Sequence, residues 1–319
     1  MNFNSCYDMQ QSCRGEEGSS VKKRIEQLKR ERNAVIIAHH YAPAEVHDVA
    51  DVLSDSRGFF DAVVRGCEAN VAVVLAPAFF AEITAAMWPE KKVLVPEIAE
   101  CPVASHSNLG FDNIAAFKKH HRGKPLVCYA TSPLETKLLA DYVAFPGEVV
   151  DTIENVDADE VLFAGERNCS DDAVKRCGKK VIAYSGNPVC NVYNSADLSD
   201  VQRLKDEFPD ACVMVHPECK QEVIDAADYV MGTGEMHEQI RKDGNPEAII
   251  LGTERGFFDR MRNEFPEKNI LHLSSYLTCN VFKVLRLKTV LESLEKMCYP
   301  VQVDRVVAER IRTLFNRLF

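Results

Sequence analysis

The 319-residue sequence lacks any apolar run that approaches the length of a bilayer span, which needs about 20 residues. Its start also lacks the basic, apolar and small-residue pattern of a secretory signal. The formal net charge of −10 is the wrong sign for a nucleic-acid footprint, which requires a clustered basic face. From these absences we expect no membrane span, no nucleic-acid partner and a cytoplasmic location.

Cysteine, in contrast, is abundant, with 12 residues in the chain. Disulfides are rare in the cytoplasm, so some of these cysteines are expected to be ligands and the rest small buried residues. Cys190 lies 89 residues after Cys101, and Cys279 lies 89 residues after Cys190. Equal spacing of a reactive residue suggests an internal repeat.

Other signals recur with nearly the same period. Ala-Asp pairs occur at 50–51, 140–141 and 227–228, each some 15 residues after an apolar run. In each copy the last apolar run is followed by one of the three cysteines. The sequence therefore predicts one unit of nearly ninety residues, present three times, with one thiol in an equivalent place.

The apolar runs are continuous rather than alternating, which is typical of strands buried on both faces of a parallel α/β sheet. We expect three homologous units with small parallel sheets, arranged around a pseudo-threefold axis. The predicted boundaries are a disordered tail at 1–20 and domains at 21–108, 109–197 and 198–298. An amphipathic C-terminal helix within 299–319 should pack on the first domain.

Three thiolates from distant parts of a chain suit an iron–sulfur cubane in which one iron has no protein ligand. Structural zinc sites need four ligands and usually show C-x-x-C spacing, which is absent at these positions. An open iron acts as a Lewis acid, which favours dehydration or condensation over electron transfer. The alternative is that Cys101, Cys190 and Cys279 are structural cysteines whose spacing is a coincidence.

Polar residues follow equivalent strands in the three copies. Tyr41, Tyr129, His216 and Glu218 stand at these strand ends, where open α/β sheets bind ligands. Tyrosine, histidine and glutamate can together perform acid–base catalysis. Each residue alone could equally be a hydrogen-bonded strand end, so the threefold equivalence decides for catalysis.

Three further residues are weaker candidates. Ser56 and Thr233 could donate hydrogen bonds to an anionic substrate, although serine and threonine are also common turn residues. Glu254 could orient a ligand or form an ion pair with the adjacent Arg255. We keep both interpretations open for each residue.

Taken together, the motifs from residue 21 to the end resemble the quinolinate synthase family. The resemblance is carried by Ala38-His39-His40-Tyr41, Asp55-Ser56, Cys101, Cys128-Tyr129, Asn168, Cys190-Asn191-Val192-Tyr193, His216-Pro217-Glu218-Cys219, Thr253-Glu254-Arg255-Gly256 and Cys279-Asn280-Val281-Phe282-Lys283.

The resemblance implies three αβα domains in a triangle and a 4Fe-4S cluster on the three cysteines. It implies condensation of iminoaspartate with dihydroxyacetone phosphate, with loss of two waters and phosphate, to give quinolinate for NAD biosynthesis. Tyr41, Tyr129, His216 and Glu218 would serve proton transfers, and His39 and Ser56 would hold carboxylate or phosphate. A transient contact with the enzyme that supplies iminoaspartate is also expected.

Several positions depart from the family pattern and affect groups that would bind the anionic ends of the substrate. His40 and Thr131 replace asparagines, Tyr193 replaces a histidine and Gly232 replaces a serine, while residues 145–148 replace a Ser-Ser-Asn stretch. We still place Thr131, Tyr193, Thr233 and Glu254 among the substrate-binding residues. Losing donors from an anion pocket weakens binding.

Three functions remain open on this basis. The first is a quinolinate synthase with a changed pocket, and the second is a paralogue that performs a related dehydration or cyclisation on another substrate. The third is a non-catalytic iron–sulfur redox sensor, which would not need the acid–base residues together. A metal-free α/β binding protein is the plainest alternative to all of them.

Overall fold

The structure is a computed structural model that describes residues 3–242 and 246–318, with side chains from residue 18 onward. The first sheet region contains α1 (Phe3–Arg32), β1 (Ala34–His39), α2 (Ala44–His47), β2 (Val52–Ser54), α3 (Ser56–Arg65), β3 (Val71–Leu75), α4 (Ala78–Met87) and β4 (Lys92–Leu94). The second contains α5 (Phe111–His120), β5 (Leu126–Tyr129), α6 (Leu134–Leu139), β6 (Tyr142–Ala144), α7 (Val149–Glu154), β7 (Glu160–Ala164), α8 (Arg167–Arg176) and β8 (Lys180–Ala183), flanked by single 3-10 turns at Ser107–Leu109 and Tyr193–Ser195.

The third contains α9 (Leu198–Glu207), β9 (Cys212–Val215), α10 (Gln221–Asp225), β10 (Tyr229–Val230), α11 (Thr233–Lys242), β11 (Ile249–Gly252), α12 (Arg255–Glu264), β12 (Ile270–His272) and α13 (Asn280–Lys283). The chain then continues through α14 (Leu287–Lys296), β13 (Pro300–Val301) and α15 (Arg305–Phe315).

The three sheets share one strand order. They run β2-β1-β3-β4, β6-β5-β7-β8 and β10-β9-β11-β12, and all of these pairs are parallel. Their central strands are buried because both faces are covered by helices. The α/β class and the three small parallel sheets predicted from the sequence are therefore confirmed.

The Ala-Asp pairs explain why the repeat is so regular. In each unit the aspartate carboxylate accepts a hydrogen bond from a backbone N–H of the first strand: Ile36 N to Asp51 at 2.8 Å, Leu126 N to Asp141 at 2.9 Å and Val213 N to Asp228 at 2.8 Å.

A lysine from the preceding helix pairs with each of these carboxylates: Lys29 with Asp51 at 2.9 Å, Lys118 with Asp141 at 2.8 Å and Lys205 with Asp228 at 3.8 Å. We call these three sets the lysine–aspartate brackets. Each ties the amino-terminal end of a sheet to its leading helix.

The end of the chain returns to the first sheet. Strand β13 pairs antiparallel with the edge strand β4, and α15 buries Ile311 and Phe315 in the core of this unit. Arg310 of α15 also donates to the carbonyl of Leu138 at 3.2 Å, in the second unit. The last helix thus contacts two units. The domain boundaries at 108 and 197 stay a prediction.

The beginning of the chain differs from the expectation. We expected a disordered tail over residues 1–20 and a helix capped by Ser20, but α1 begins at Phe3 and runs to Arg32. No proline interrupts this stretch, and its two glycines weaken a helix without ending it. Residues 1 and 2 lie outside the described part of the chain.

No helix in the described ranges combines the length and apolar content that crossing a membrane requires.

Candidate active site

One cavity of about 80 Å³ collects most of the predicted site residues from all three units. Eleven of the thirteen line it: His39, Tyr41, Ser56, Cys101, Thr131, Cys190, Tyr193, His216, Glu218, Glu254 and Cys279. Tyr129 and Thr233 do not. Aromatic rings of Phe79, Phe80 and Phe282, which the sequence analysis did not single out, complete an apolar part of the wall.

The three cysteines arrive at the wall by the same route. Each stands seven residues after the end of the fourth strand of its unit, which ends at Leu94, Ala183 or His272. All three are free thiols of intermediate exposure. The equal spacing in sequence thus becomes an equivalent position in space.

Among the described residues, no three His, Cys, Asp or Glu side chains converge closely enough to hold a single metal ion. In a structural zinc site all of the ligands bind the same ion. A cubane cluster is different because each cysteine binds a different iron, so its thiolates stand further apart. One free thiol from each unit on a common wall fits such a cluster.

Glu218 is one of two glutamates that line the cavity, and it is in contact with Tyr129. The Tyr129 hydroxyl donates to Glu218 Oε1 at 2.8 Å, and Tyr129 is fully buried. Burial raises the pKa of Glu218 above its usual value. Tyr129, predicted to serve proton transfers, therefore contacts Glu218 rather than the cavity, and its role stays a prediction.

Tyr41 and Tyr193 join the three units at the cavity. Their hydroxyl oxygens are 2.5 Å apart, and the Tyr193 hydroxyl also lies 3.3 Å from Thr253 Oγ1. The Tyr193 ring stacks on His216 with centroids 4.2 Å apart and an interplanar angle of 11°. Tyr193 thus fixes both neighbours that the sequence analysis had assigned to catalysis.

Two buried histidines face the cavity as neutral rings. Burial lowers the pKa of both His39 and His216 to about 3. His39 Nε2 lies 3.3 Å from Ser56 Oγ, and His216 Nδ1 accepts from the Glu218 backbone N–H at 3.3 Å. Each ring can therefore offer a hydrogen bond, but not a positive charge, near neutral pH.

Glu254 is fully buried, and its ion pair differs from the one considered above. Its partner is Lys283, with Nζ 2.9 Å from Oε1, whereas Arg255 pairs with Asp259 at 2.7 Å. Lys283 also donates to the Tyr41 carbonyl at 3.0 Å. The sequence analysis assigned no role to Lys283. It also assigned none to Glu166, another buried glutamate, which accepts a hydrogen bond from Cys190 N.

Comparison with known proteins identifies the family. A family model described as Quinolinate synthetase A protein matches residues 23–319. Quinolinate synthase from Pyrococcus abyssi is 35% identical over 299 residues, covering 93% of this chain and 98% of the relative. Quinolinate synthase from Methanocaldococcus jannaschii is 32% identical over 304 residues, covering 93% and 98%. The chain belongs to the quinolinate synthase family.

Membership in the quinolinate synthase family confirms the resemblance drawn from the motifs. Of the departures from the family pattern, Thr131, Pro146 and Tyr193 line the cavity. Thr131 lines the wall, and its buried Oγ1 has no hydrogen-bond partner among the residues that the structure describes. A buried hydroxyl of this kind is free to bind a ligand.

Two other departures from the quinolinate synthase pattern, Gly232 and the stretch 145–148, pack directly against each other. A Cβ on Gly232 would lie 2.8 Å from the Pro146 carbonyl oxygen, and one on Gly147 would lie 2.7 Å from Gly232 N. The backbones at 146–147 and 232 are therefore in contact, leaving no space for a serine at 232. The carboxylate of Glu148, which would repel an anion in the cavity, pairs with Arg57 at 2.8 Å and lies outside the wall.

Thr233 also lies away from the cavity of this quinolinate synthase relative. It is the first residue of α11 and only 2% exposed, and the next residue, Gly234, donates its N–H to Asp55 Oδ2 at 3.0 Å. This contact joins the third unit to the N-terminus of α3. A substrate-binding role for Thr233 stays a prediction.

Proposed function

We propose that this protein is a quinolinate synthase that condenses iminoaspartate with dihydroxyacetone phosphate and releases two waters and one phosphate. The observation that supports this proposal most is the shared wall of three free thiols, one per unit, with Tyr41, His216 and Glu218. A redox sensor or a metal-free binding protein would not need these acid–base residues around the thiols.

Cys101, Cys190 and Cys279 would hold a 4Fe-4S cluster. When bound, such a cluster supplies an iron without a protein ligand, a Lewis acid for hydroxyl or carboxylate groups. The thiols lie on the same cavity as the acid–base residues, so a substrate in the cavity would meet both.

The proton transfers of the proposed reaction fall to the chain's own side chains. Glu218 can accept a proton at its carboxylate, and Tyr129 holds Oε1 of this group by a hydrogen bond of 2.8 Å. The neutral His39 and its partner Ser56 are placed to bind a carboxylate or phosphate oxygen. The Tyr41 hydroxyl, fixed by Tyr193, faces the same space.

One observation favours a second candidate, a paralogue acting on a less anionic substrate. Among the described residues that line the cavity there is no lysine or arginine, while Glu218 and Glu254 contribute two carboxyl groups. A dianionic phosphate loses affinity when charge-assisted donors are missing. The phosphate would then depend on neutral donors such as Ser56 and Thr131.

Complementation of a strain that requires quinolinate separates the two candidates. Growth with the wild-type gene, and no growth with Glu218→Gln, would support quinolinate synthesis. Anaerobically purified protein with about four irons and four sulfides per chain that forms no quinolinate from both substrates would favour the paralogue. Colourless protein without iron would overturn both.

A cytoplasmic location and a transient contact with the enzyme that supplies iminoaspartate belong to the same proposal. The imine is hydrolysed in water, so a supplier close to the cavity would limit its loss.

A further inference from the structure

The second and third units each carry a buried glutamate two residues after their third strand. Glu166 follows β7, which ends at Ala164, and Glu254 follows β11, which ends at Gly252. Both side chains are fully buried. The equivalent position of the first unit, two residues after β3, is Pro77.

Glu166 uses its two oxygens for different tasks. Oε2 accepts from Cys169 N at 2.9 Å, which caps the first turn of α8. Oε1 accepts from Cys190 N at 3.0 Å, in a loop 24 residues further along the chain. Capping needs only the first of these bonds.

Glu254 repeats this division in the third unit. Oε2 accepts from Gly256 N at 2.5 Å and caps α12, while Oε1 accepts from Cys279 N at 3.0 Å. Lys283 Nζ lies 2.9 Å from the same Oε1. Two buried carboxylates thus each hold the backbone amide of one cysteine of the wall.

The cysteine loops also share a contact that does not use these carboxylates. In every unit the residue after the helix cap donates to the carbonyl two residues before the cysteine: Ala78 to Ala99 at 3.0 Å, Arg167 to Pro188 at 2.8 Å and Arg255 to Leu277 at 2.8 Å. The backbone contact docks all three loops. The carboxylate bond is an addition at Cys190 and Cys279 that Pro77 cannot make for Cys101.

We propose that Glu166 and Glu254 are positioning residues that aim the Cys190 and Cys279 thiols at the cluster, an inference that rests on the cluster of the proposed function. A buried backbone N–H that loses its acceptor is costly, so each of these hydrogen bonds restricts the loop and with it the sulfur. Partners behind metal ligands typically change metal affinity about 10- to 100-fold when removed.

The test uses Glu166→Asp and Glu254→Asp in the full chain. Aspartate still caps a helix, but it is one methylene shorter and does not reach the cysteine amide. After anaerobic loading, iron and sulfide per chain and the rate of iron transfer to a chelator are measured, together with the unfolding temperature of the iron-free protein. We expect each variant to lose iron about 10-fold faster than wild type at an unchanged unfolding temperature.

Asp304→Asn is the matched control because Asp304 caps α15 through Val306 N and contacts no cysteine. Its iron loss should equal that of wild type. Wild-type rates in both aspartate variants would overturn the inference and leave the glutamates as helix caps. A wild-type protein that binds no iron would overturn the proposed function instead.

If an aspartate variant does not fold, Glu166→Gln and Glu254→Gln replace it. Glutamine keeps the shape of the glutamate side chain but replaces one acceptor oxygen with an NH₂ group. This NH₂ group then faces a backbone N–H, and two donors cannot form a hydrogen bond. Wild-type iron release from the glutamine variants would also overturn the inference.

Discussion

The two ends of the three sheets have diverged to very different extents. At the amino-terminal ends, the lysine–aspartate brackets recur in all units with the same residue types and the same hydrogen bond from a backbone N–H to the aspartate. At the carboxyl-terminal ends, the first strands are followed by different residues, His39 to Tyr41 in one unit, Tyr129 to Thr131 in the next and His216 to Glu218 in the third. The cysteines and the backbone contact that docks their loops recur in all three units there.

This difference separates folding from chemistry within one repeated unit. The bracket has the same structural function in all three units, because it joins the first strand of each sheet to the helix before it. The other end surrounds one cavity, where each copy supplies a different group and a repeated residue would be redundant. We therefore expect substitutions at the two ends to have separable effects on stability and activity.

The largest effect is expected at the three cysteines, which are repeated in all units although they lie at the carboxyl-terminal ends of the sheets. Cys190→Ala should abolish cluster retention, measured as iron and sulfide per chain after anaerobic loading. Cys177→Ala should leave it intact because this thiol lies outside the cavity, with Sγ 4.0 Å from the Val150 carbonyl. Equal loss from both variants would refute the assignment of the ligands.

Tyr129→Phe comes next in size. It removes the hydrogen bond to Glu218, and we expect quinolinate formation to fall by about 10²-fold, the lower end for a positioned proton-transfer group, because Tyr129 contacts Glu218 and does not line the cavity. Cluster content should not change. Tyr142→Phe, an exposed position in the same sheet, is the control, and an equal loss of rate there would contradict the role of Tyr129.

Asp141→Ala tests the other end of the sheet. It leaves the Leu126 N–H and Lys118 without their shared partner, and we expect a loss of about 1.5–3 kcal/mol in the free energy of unfolding. Asp61→Ala removes a helix-surface ion pair with Arg65 and should cost less than 1 kcal/mol. A loss of turnover with unchanged stability in Asp141→Ala would break the proposed separation.

The last prediction is a pH dependence of stability at the cavity. The pKa of His216 is about 3 in the folded protein, below its ordinary value of 6.5, so the unfolded chain binds the proton more readily. Its contribution to stability is full above pH 6.5 and is lost as the pH falls towards 3, by about 1.4 kcal/mol per pH unit.

Denaturant unfolding gives the free energy of unfolding of wild type and His216→Gln at pH 7 and at pH 5. The contribution of His216 is the loss between the two pH values in wild type minus the loss in the variant. The comparison cancels the buried glutamates, whose raised pKa acts in the opposite direction. A variant as acid-sensitive as wild type would show that His216 is not held neutral by its surroundings.

The sequence predicted the repeat because each unit solves the same local problem with the same residues. The cysteine spacing and the Ala-Asp pairs indicated three copies, and the continuous apolar runs indicated parallel sheets. Features that depend on contacts between units were not predictable in this way. Strand β13 has two residues and exists only because β4 is beside it. The position of Tyr129 behind Glu218 likewise depends on how two units meet.

Glu166 was missed for a different reason. Its signal was present, since Glu166 and Glu254 hold equivalent positions before the second and third cysteines. The first unit breaks the pattern with Pro77, so a search for threefold matches passed over it. A twofold match within a threefold repeat can therefore mark a residue with a task in only two of the copies.

The pairing of β4 with β13 has a consequence for how the protein matures. These partners stand at residues 92–94 and 300–301, so the first sheet keeps an open edge until nearly the entire chain has been synthesised. Helix α15, which covers α4 and reaches the second unit, arrives later still. The strands of the second and third sheets are complete by residues 183 and 272, so the first sheet is the last of the three to close.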